Sequence, residues 1–311
     1  MKLNFYIIFI LCLVSLTAKA QYDVSFAHYW TMEPSFNPAA VGKESKLNIA
    51  GAYAIQMAGF EHNPNTMYAA ADMPFYALRS YHGVGIQFMN DAIGLFTHKR
   101  FGLQYAYQPK LWGGRLSMGL QVSMLSENFD GSKAEVIDPD DPAITSSSVN
   151  GSAFDIGLGL YYRRHNLYAG FSVLHVTSPR VELGDKNQLD IAATYYLTGG
   201  YNIQLRNPFL SIQTSVLGRT DGVAWRGDIS GRLQYSHEKR HLYAGLTYSP
   251  TTSVTVQVGG VIKGIRLGYS YEIYTSAMSV GNGSHEISVG YQMDIELQKK
   301  GRNLHKSVRI L

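Results

Sequence analysis

Ten histidines, many serines and scattered aspartates are the raw material for nucleophilic catalysis. In such a site a carboxylate orients a histidine, which takes the proton of a serine. His165, His175, His241 and His285 fall near expected strand ends, with Asp155, Asp190 and Asp228 as candidate partners. Yet no G-x-S-x-G run marks a serine on a strained turn, and with so many candidates a triad can be drawn by chance. Polar interior and loop residues are the simpler account, so no enzymatic activity is expected. Asp138-Pro139-Asp140-Asp141-Pro142 gathers three carboxylates, the hard oxygen ligands that Ca²⁺ takes. It lacks the spacing and glycine of a twelve-residue calcium loop and reads as a stiffened surface loop. Gly83-x-Gly85 and Gly157-x-Gly159 lead into no helix, so neither is a phosphate cradle. No metal or cofactor is expected.

The elements that must position these residues announce themselves by a period of two. Near the C-terminus Ile287, Val289, Tyr291, Met293, Ile295 and Leu297 alternate with Glu286, Ser288, Gly290, Gln292, Asp294 and Glu296. Successive strand side chains point to opposite faces, so this segment has one apolar and one polar face. The same alternation sets Leu116, Met118, Leu120, Val122 and Met124 against Ser117, Gly119, Gln121 and Ser123. It also sets Phe154, Ile156, Leu158, Leu160 and Tyr162 against Asp155, Gly157, Gly159, Tyr161 and Arg163. An apolar outside and a polar inside, with 22 Tyr and 31 Gly, predict an all-β, antiparallel transmembrane outer-membrane β-barrel. Only a closed barrel gives every strand backbone group a partner in lipid.

The ends set further bounds. Residues 1–20 read as a secretory signal peptide, with Lys2, an apolar core from Phe5 to Leu16 and an Ala18-Lys19-Ala20 cleavage site. Cleavage there removes Cys12, the single cysteine, and leaves 25 basic against 23 acidic residues. That near balance argues against a nucleic-acid partner, which needs a concentrated basic patch. Residues 21–46, broken by Pro34 and Pro38, are expected to form a short N-terminal plug segment. Residues 47–297 form the barrel, and residues 298–311 form a basic tail expected in the periplasm, suited to a partner or to acidic lipid headgroups.

Fourteen strands are predicted, starting near Leu47, Thr66, Gly83, Thr97, Arg115, Ala153, Leu167, Leu189, Phe209, Trp225, His241, Ser253, Ile265 and His285. With both termini placed in the periplasm, connections after odd strands are extracellular. These include the longest: Phe60–Asn65, Glu127–Asn150, Val176–Gln188 and Thr275–Ser284. Even connections are mostly tight, with Phe75–His82 an exception; short inner turns and long outer loops are the bacterial barrel pattern. Tyr53, Tyr107, Tyr162, Tyr248 and Tyr274 are expected in the interfacial aromatic girdles. By alternation Glu286 points inward, with Arg226, Arg232 and Arg266 as candidate partners.

Two stretches resemble one family. Asn37-Pro38-Ala39-Ala40-Val41-Gly42, preceded by Phe26-Ala27-His28-Tyr29-Trp30, resembles the NPAxxG element of PorP/SprF proteins, outer-membrane proteins of Bacteroidetes. Leu267-Gly268-Tyr269-Ser270-Tyr271-Glu272, then Gly283-Ser284-His285-Glu286-Ile287-Ser288-Val289-Gly290-Tyr291, is similar to that family's C-terminal signature. Trp30-Thr31-Met32-Glu33-Pro34 departs from the family's pattern. The resemblance implies a Gram-negative outer-membrane component of the type IX secretion system. It implies partners among periplasmic and peptidoglycan-linked components and cargo C-terminal domains and, in organisms that glide, a role with gliding adhesins. Asn37, Pro38, Ala39, Gly42, Tyr269, Tyr271, Ser284, His285 and Glu286 are its motif residues, expected to serve the plug or to touch partners. The competing expectation is an outer-membrane channel for small, hydrophobic solutes.

Overall fold

The computed structural model describes residues 22–133, 148–184, 187–238, 240–275 and 281–295. The signal-peptide, Asp138–Pro142 and basic-tail expectations lie outside the described residues. Fourteen antiparallel strands close into one barrel. In chain order they are β1 Lys46–Ile55, β2 Asn65–Ala77, β3 Ser80–Ile93, β4 Phe96–Gln108, β5 Gly114–Asp130, β6 Ser148–Arg164 and β7 Leu167–Leu174. There follow β8 Thr194–Gln204, β9 Leu210–Thr220, β10 Trp225–His237, β11 Arg240–Ser249, β12 Ser253–Ile262, β13 Ile265–Tyr274 and β14 Ser284–Asp294. Each strand pairs with its sequence neighbours, and β14 pairs with β1 from Lys46↔Asp294 to Ile55↔His285, so no edge is left open.

Alternation explains the wall. Leu120, Val122 and Met124 of β5 are exposed on the outside, as are Ile156, Leu158 and Leu160 of β6. Gln121, Ser123 and Asp155 between them are buried inside. Exposed apolar residues repeat around the barrel, as a lipid-facing surface requires. Tyr53, Tyr107 and Tyr248 lie on this outer face. Tyr274 does not: its inward parity brings its hydroxyl to Ser284 Oγ at 2.6 Å.

The connections sort by end. After even strands they are short: 78–79, 165–166, 238–239 and 263–264, with 109–113 and 205–209 slightly longer. Leu78 and Arg79 both have positive φ, as do Lys263 and Gly264. That left-handed geometry matches the twist of paired strands. The expected exception at Phe75–His82 disappears, because β2 and β3 run to within two residues of each other. The longest connections, 56–64, 131–147, 175–193 and 275–283, all lie at the other end. We call these the turn end and the loop end; outer-membrane barrels face the periplasm with the former.

One predicted strand start fails. Leu189 belongs to a small hairpin, Arg180–Leu183 against Asn187–Asp190, and β8 begins only at Thr194. Four alternating residues in a hairpin look like a strand onset. The hairpin folds over the loop end, where Val181, Leu183 and Ile191 bury against Leu125 of β5.

Candidate functional site

Residues 22–42 do not stay at the turn end. They enter the lumen near the loop end and descend its length to reach β1. Three single 3₁₀ turns, Tyr29–Thr31, Glu33–Ser35 and Pro38–Ala40, are its only regular structure. Such a segment cannot pair its own backbone, and buried amides must find partners. The wall supplies them. Inward side chains donate to its carbonyls: Gln257 to Ala27, Gln104 to Pro34, Arg100 to Ser35, Ser172 to Phe36, Ser117 to Ala39 and Gln108 to Val41, all at 2.6–3.0 Å. Tyr29 Oη meets Ser215 and Ser230 across the lumen.

The upper end is held by charge. The Asp23 carboxylate accepts from Arg100 Nη1 at 3.0 Å, from Tyr196 Oη at 2.8 Å and faces His175 Nε2 at 3.3 Å. His175 Nδ1 stands 3.0 Å from Asp155. Burial alone would lower the His175 pKa, but the two carboxylates outweigh it and raise the group to about 9. Burial alone would raise the Asp23 carboxyl; His175, Arg100 and Tyr196 instead hold it well below the usual carboxylate range. Tyr22 Oη and His98 Nδ1 both meet the Glu127 carboxylate. His285, weighed as a base, bonds Tyr269 Oη at 2.8 Å, and His241 bonds Ser236 Oγ at 3.0 Å. His165 sits in an exposed two-residue turn with positive φ.

The family-motif residues fall into two groups. Asn37, Pro38, Ala39 and Gly42 are the lower part of the segment. Asn37 Oδ1 caps the third turn through the Ala39 N–H at 2.9 Å, and its Nδ2 reaches the Leu160 carbonyl. Gly42 has φ +63° and donates to Asp72 at 2.8 Å; a Cβ there would meet Gly83 Cα at 2.7 Å. Glu286 is the opposite half. It accepts from the Ala27 N–H at 2.7 Å and the His28 N–H at 2.9 Å, and its Oε1 meets His28 Nδ1 at 2.7 Å. So the two motif regions come together inside the barrel. The expected Arg226, Arg232 or Arg266 partner is not used: Arg226 serves Asp228 and Glu272, and Arg232 stacks on Trp30 instead. Ser284 accepts from the Met57 N–H and stitches the rim. Tyr269 and His285 face outward, and Tyr271 packs beside His285 with ring centroids 5.0 Å apart. These three take no part in holding the segment.

Residues that alternation alone could not assign complete the site. Gly119 lies where a Cβ would sit 2.2 Å from Ala39 N, and Gly83 where it would sit 2.2 Å from Val41 O. These inward glycines are a track cut for the segment. Below Trp30-Thr31-Met32-Glu33-Pro34 the lumen opens into a cavity of about 450 Å³ facing the turn end.

A family model described as type IX secretion system membrane protein PorP/SprF matches residues 18–291. The chain belongs to the PorP/SprF family. It is an integral barrel of the outer membrane and a membrane component of type IX secretion, and membership implies interaction with other components of that system. No curated protein matches the chain. Among solved structures, a monoaromatic hydrocarbon channel, CymD, aligns with TM-score 0.50 at 11% identity, over 88% of this chain and 95% of its own. A Pseudomonas aeruginosa FadL homologue aligns with TM-score 0.48 at 10% identity, over 81% and 90%. At such identity the CymD likeness speaks for the barrel fold alone.

Proposed function

We propose that this PorP/SprF barrel is a non-enzymatic anchor of the secretion machine, plugged by its own N-terminal segment. The turn end faces the periplasm and holds periplasmic, peptidoglycan-linked components. The loop end meets cargo proteins through their dedicated C-terminal domain and assists their export or attachment. The observation that supports this reading is the bonding of residues 22–42 to inward side chains of β2, β4–β10, β12 and β14. An open, passive pore would keep its lumen clear; this one is crossed by a segment whose carbonyls the inward side chains receive. The remaining space has Trp30, Leu242 and Val261 among its walls but is lined chiefly by charged and amide side chains, a poor fit to hydrophobic solutes.

The test is the secreted and surface proteome of a strain lacking the gene, beside the conductance of the purified barrel in a planar bilayer. Loss of proteins sharing one C-terminal domain, with those proteins retained in the periplasm and a non-conducting barrel, supports the anchor. An unchanged secretome with steady conductance or hydrocarbon uptake overturns it in favour of the channel.

A further inference from the structure

We propose that the turn-end cavity is a binding site for an oxyanion, a carboxylate or phosphate group on a ligand entering from the turn end. Its walls carry more positive than negative charge, with Lys43, Lys46, Arg163, Arg232 and Arg266 set against Glu33, Glu44 and Asp72. Lys43 is neutralised by Glu33. Asp72 accepts from the Gly42 N–H and Asn48, and Glu44 from Gln292; both keep their charge, but neither is bonded to an arginine. That leaves Arg163, Arg232 and Arg266 facing the cavity. Among the described residues, none of the three makes an ion pair, and Arg163 donates only to the Lys43 carbonyl at 2.8 Å.

Arg232 decides the matter. It is 4% exposed, and its Nε and Nη1 find no acceptor. Its guanidinium lies 3.8 Å over the Trp30 ring, which fixes the plane without neutralising the charge. A desolvated cation without a counter-charge is costly, and proteins pair such groups as a rule. Glu33, the carboxylate close enough to act on Arg232 electrostatically, is bonded to Lys43 instead, and Glu286 is committed to His28. A planar guanidinium with free donors, backed by further arginines, is the arrangement that takes carboxylate or phosphate. The volume of about 450 Å³ admits an anionic side chain or headgroup together with part of its carrier. The inference does not depend on the secretion role.

The test uses the full chain purified in detergent with Trp112→Phe and Trp225→Phe; both tryptophans are exposed, so Trp30 becomes the sole reporter. Inorganic phosphate, glutarate and sodium chloride at matched ionic strength are titrated by fluorescence and calorimetry. A saturable response to phosphate or glutarate beyond chloride is expected, weakened about tenfold or more by Arg266→Gln and by Arg232→Gln, with Arg232→Lys recovering part. Preference for phosphate assigns a phosphorylated headgroup or ligand; preference for glutarate assigns an acidic polypeptide. A response no larger than chloride, or one that both glutamine variants leave intact while keeping the heat-modifiable folded band, overturns the site.

Discussion

The two halves of the lumen treat buried charge in opposite ways. In the loop half every carboxylate meets a group of the N-terminal segment or wall: Glu286 with His28, Asp23 with Arg100 and His175, Glu127 with Tyr22 and His98. In the turn half Arg163, Arg232 and Arg266 share a hollow with Glu33, Glu44 and Asp72, yet none of the three arginines makes an ion pair among the described residues. Trp30–Pro34 forms the partition. A chain that can satisfy its charges so completely in one half has the means to do so in the other. The contrast therefore separates a half built for closure from a half left open to something else.

The largest effects belong to the loop half. Arg100→Met takes the guanidinium from the Asp23 carboxylate, leaving it Tyr196 and His175, and strands the Ser35 carbonyl; Glu286→Ala strands His28 and two backbone amides. Breaking a buried pair from one side costs about 3–5 kcal/mol, here charged to docking of the segment while the strand ladder holds. Proteolysis within residues 22–45 and the onset of bilayer conductance should both appear. A protected segment in either variant would show that these contacts are not what closes the lumen.

Alkaline pH should loosen the same half. His175 lies beyond the last residue of β7, and its folded-state pKa of about 9 exceeds the ordinary 6.5. Its contribution is therefore complete below about 6.5 and lost as pH rises through 9, roughly 3 kcal/mol at most for a shift of this size. Asp23 has the opposite sign: held below the carboxylate range, it supports docking above about pH 4 and fails only in stronger acid. Protease protection should thus be flat between about pH 4 and 6.5 and fall progressively from 6.5 to 9. His175→Gln should remove the alkaline step; a step that persists in that variant belongs to another group.

Gly119→Ala comes next. The new Cβ would press on Ala39 N and Pro38 C, backbone atoms that no rotamer change can move aside. About 1–3 kcal/mol of overpacking is expected, read as faster proteolysis of the segment. Gly159→Ala is milder, because its Cβ meets the Asn37 side-chain oxygen first. Equal effects from the two would mean that the segment shifts as a body.

How much of this was legible depended on range. The wall was: period-two alternation placed strand starts within five residues, although Leu189 fell in the Asn187–Asp190 hairpin, which imitated an onset. The family motifs were legible as words. Their meeting was not. Glu286 and His28 lie 258 residues apart, and alternation says only that Glu286 points inward, not which inward partner it finds. Nor could alternation tell that inward glycines such as Gly83 and Gly119 make room for a second chain segment, since a glycine beside water reads the same way.

The smallest effect should come from the turn half, and it completes the comparison because the chemistry of the substitution is the same. Arg232→Met removes a guanidinium as Arg100→Met does, from a site equally buried. Here no carboxylate is stranded and no carbonyl loses its donor. The variant forfeits the stack on Trp30, about 0.5–2 kcal/mol, and is relieved of an uncompensated buried cation, a gain of similar size. The midpoint of heat-induced unfolding should move by less than the equivalent of about 1 kcal/mol, and residues 22–45 should stay protected. A loss as large as that of Arg100→Met would mean that Arg232 is tied into the fold and that the two halves are one structural unit. A near-silent Arg232→Met beside a damaging Arg100→Met would leave ligand binding as the reason for a cation at that position.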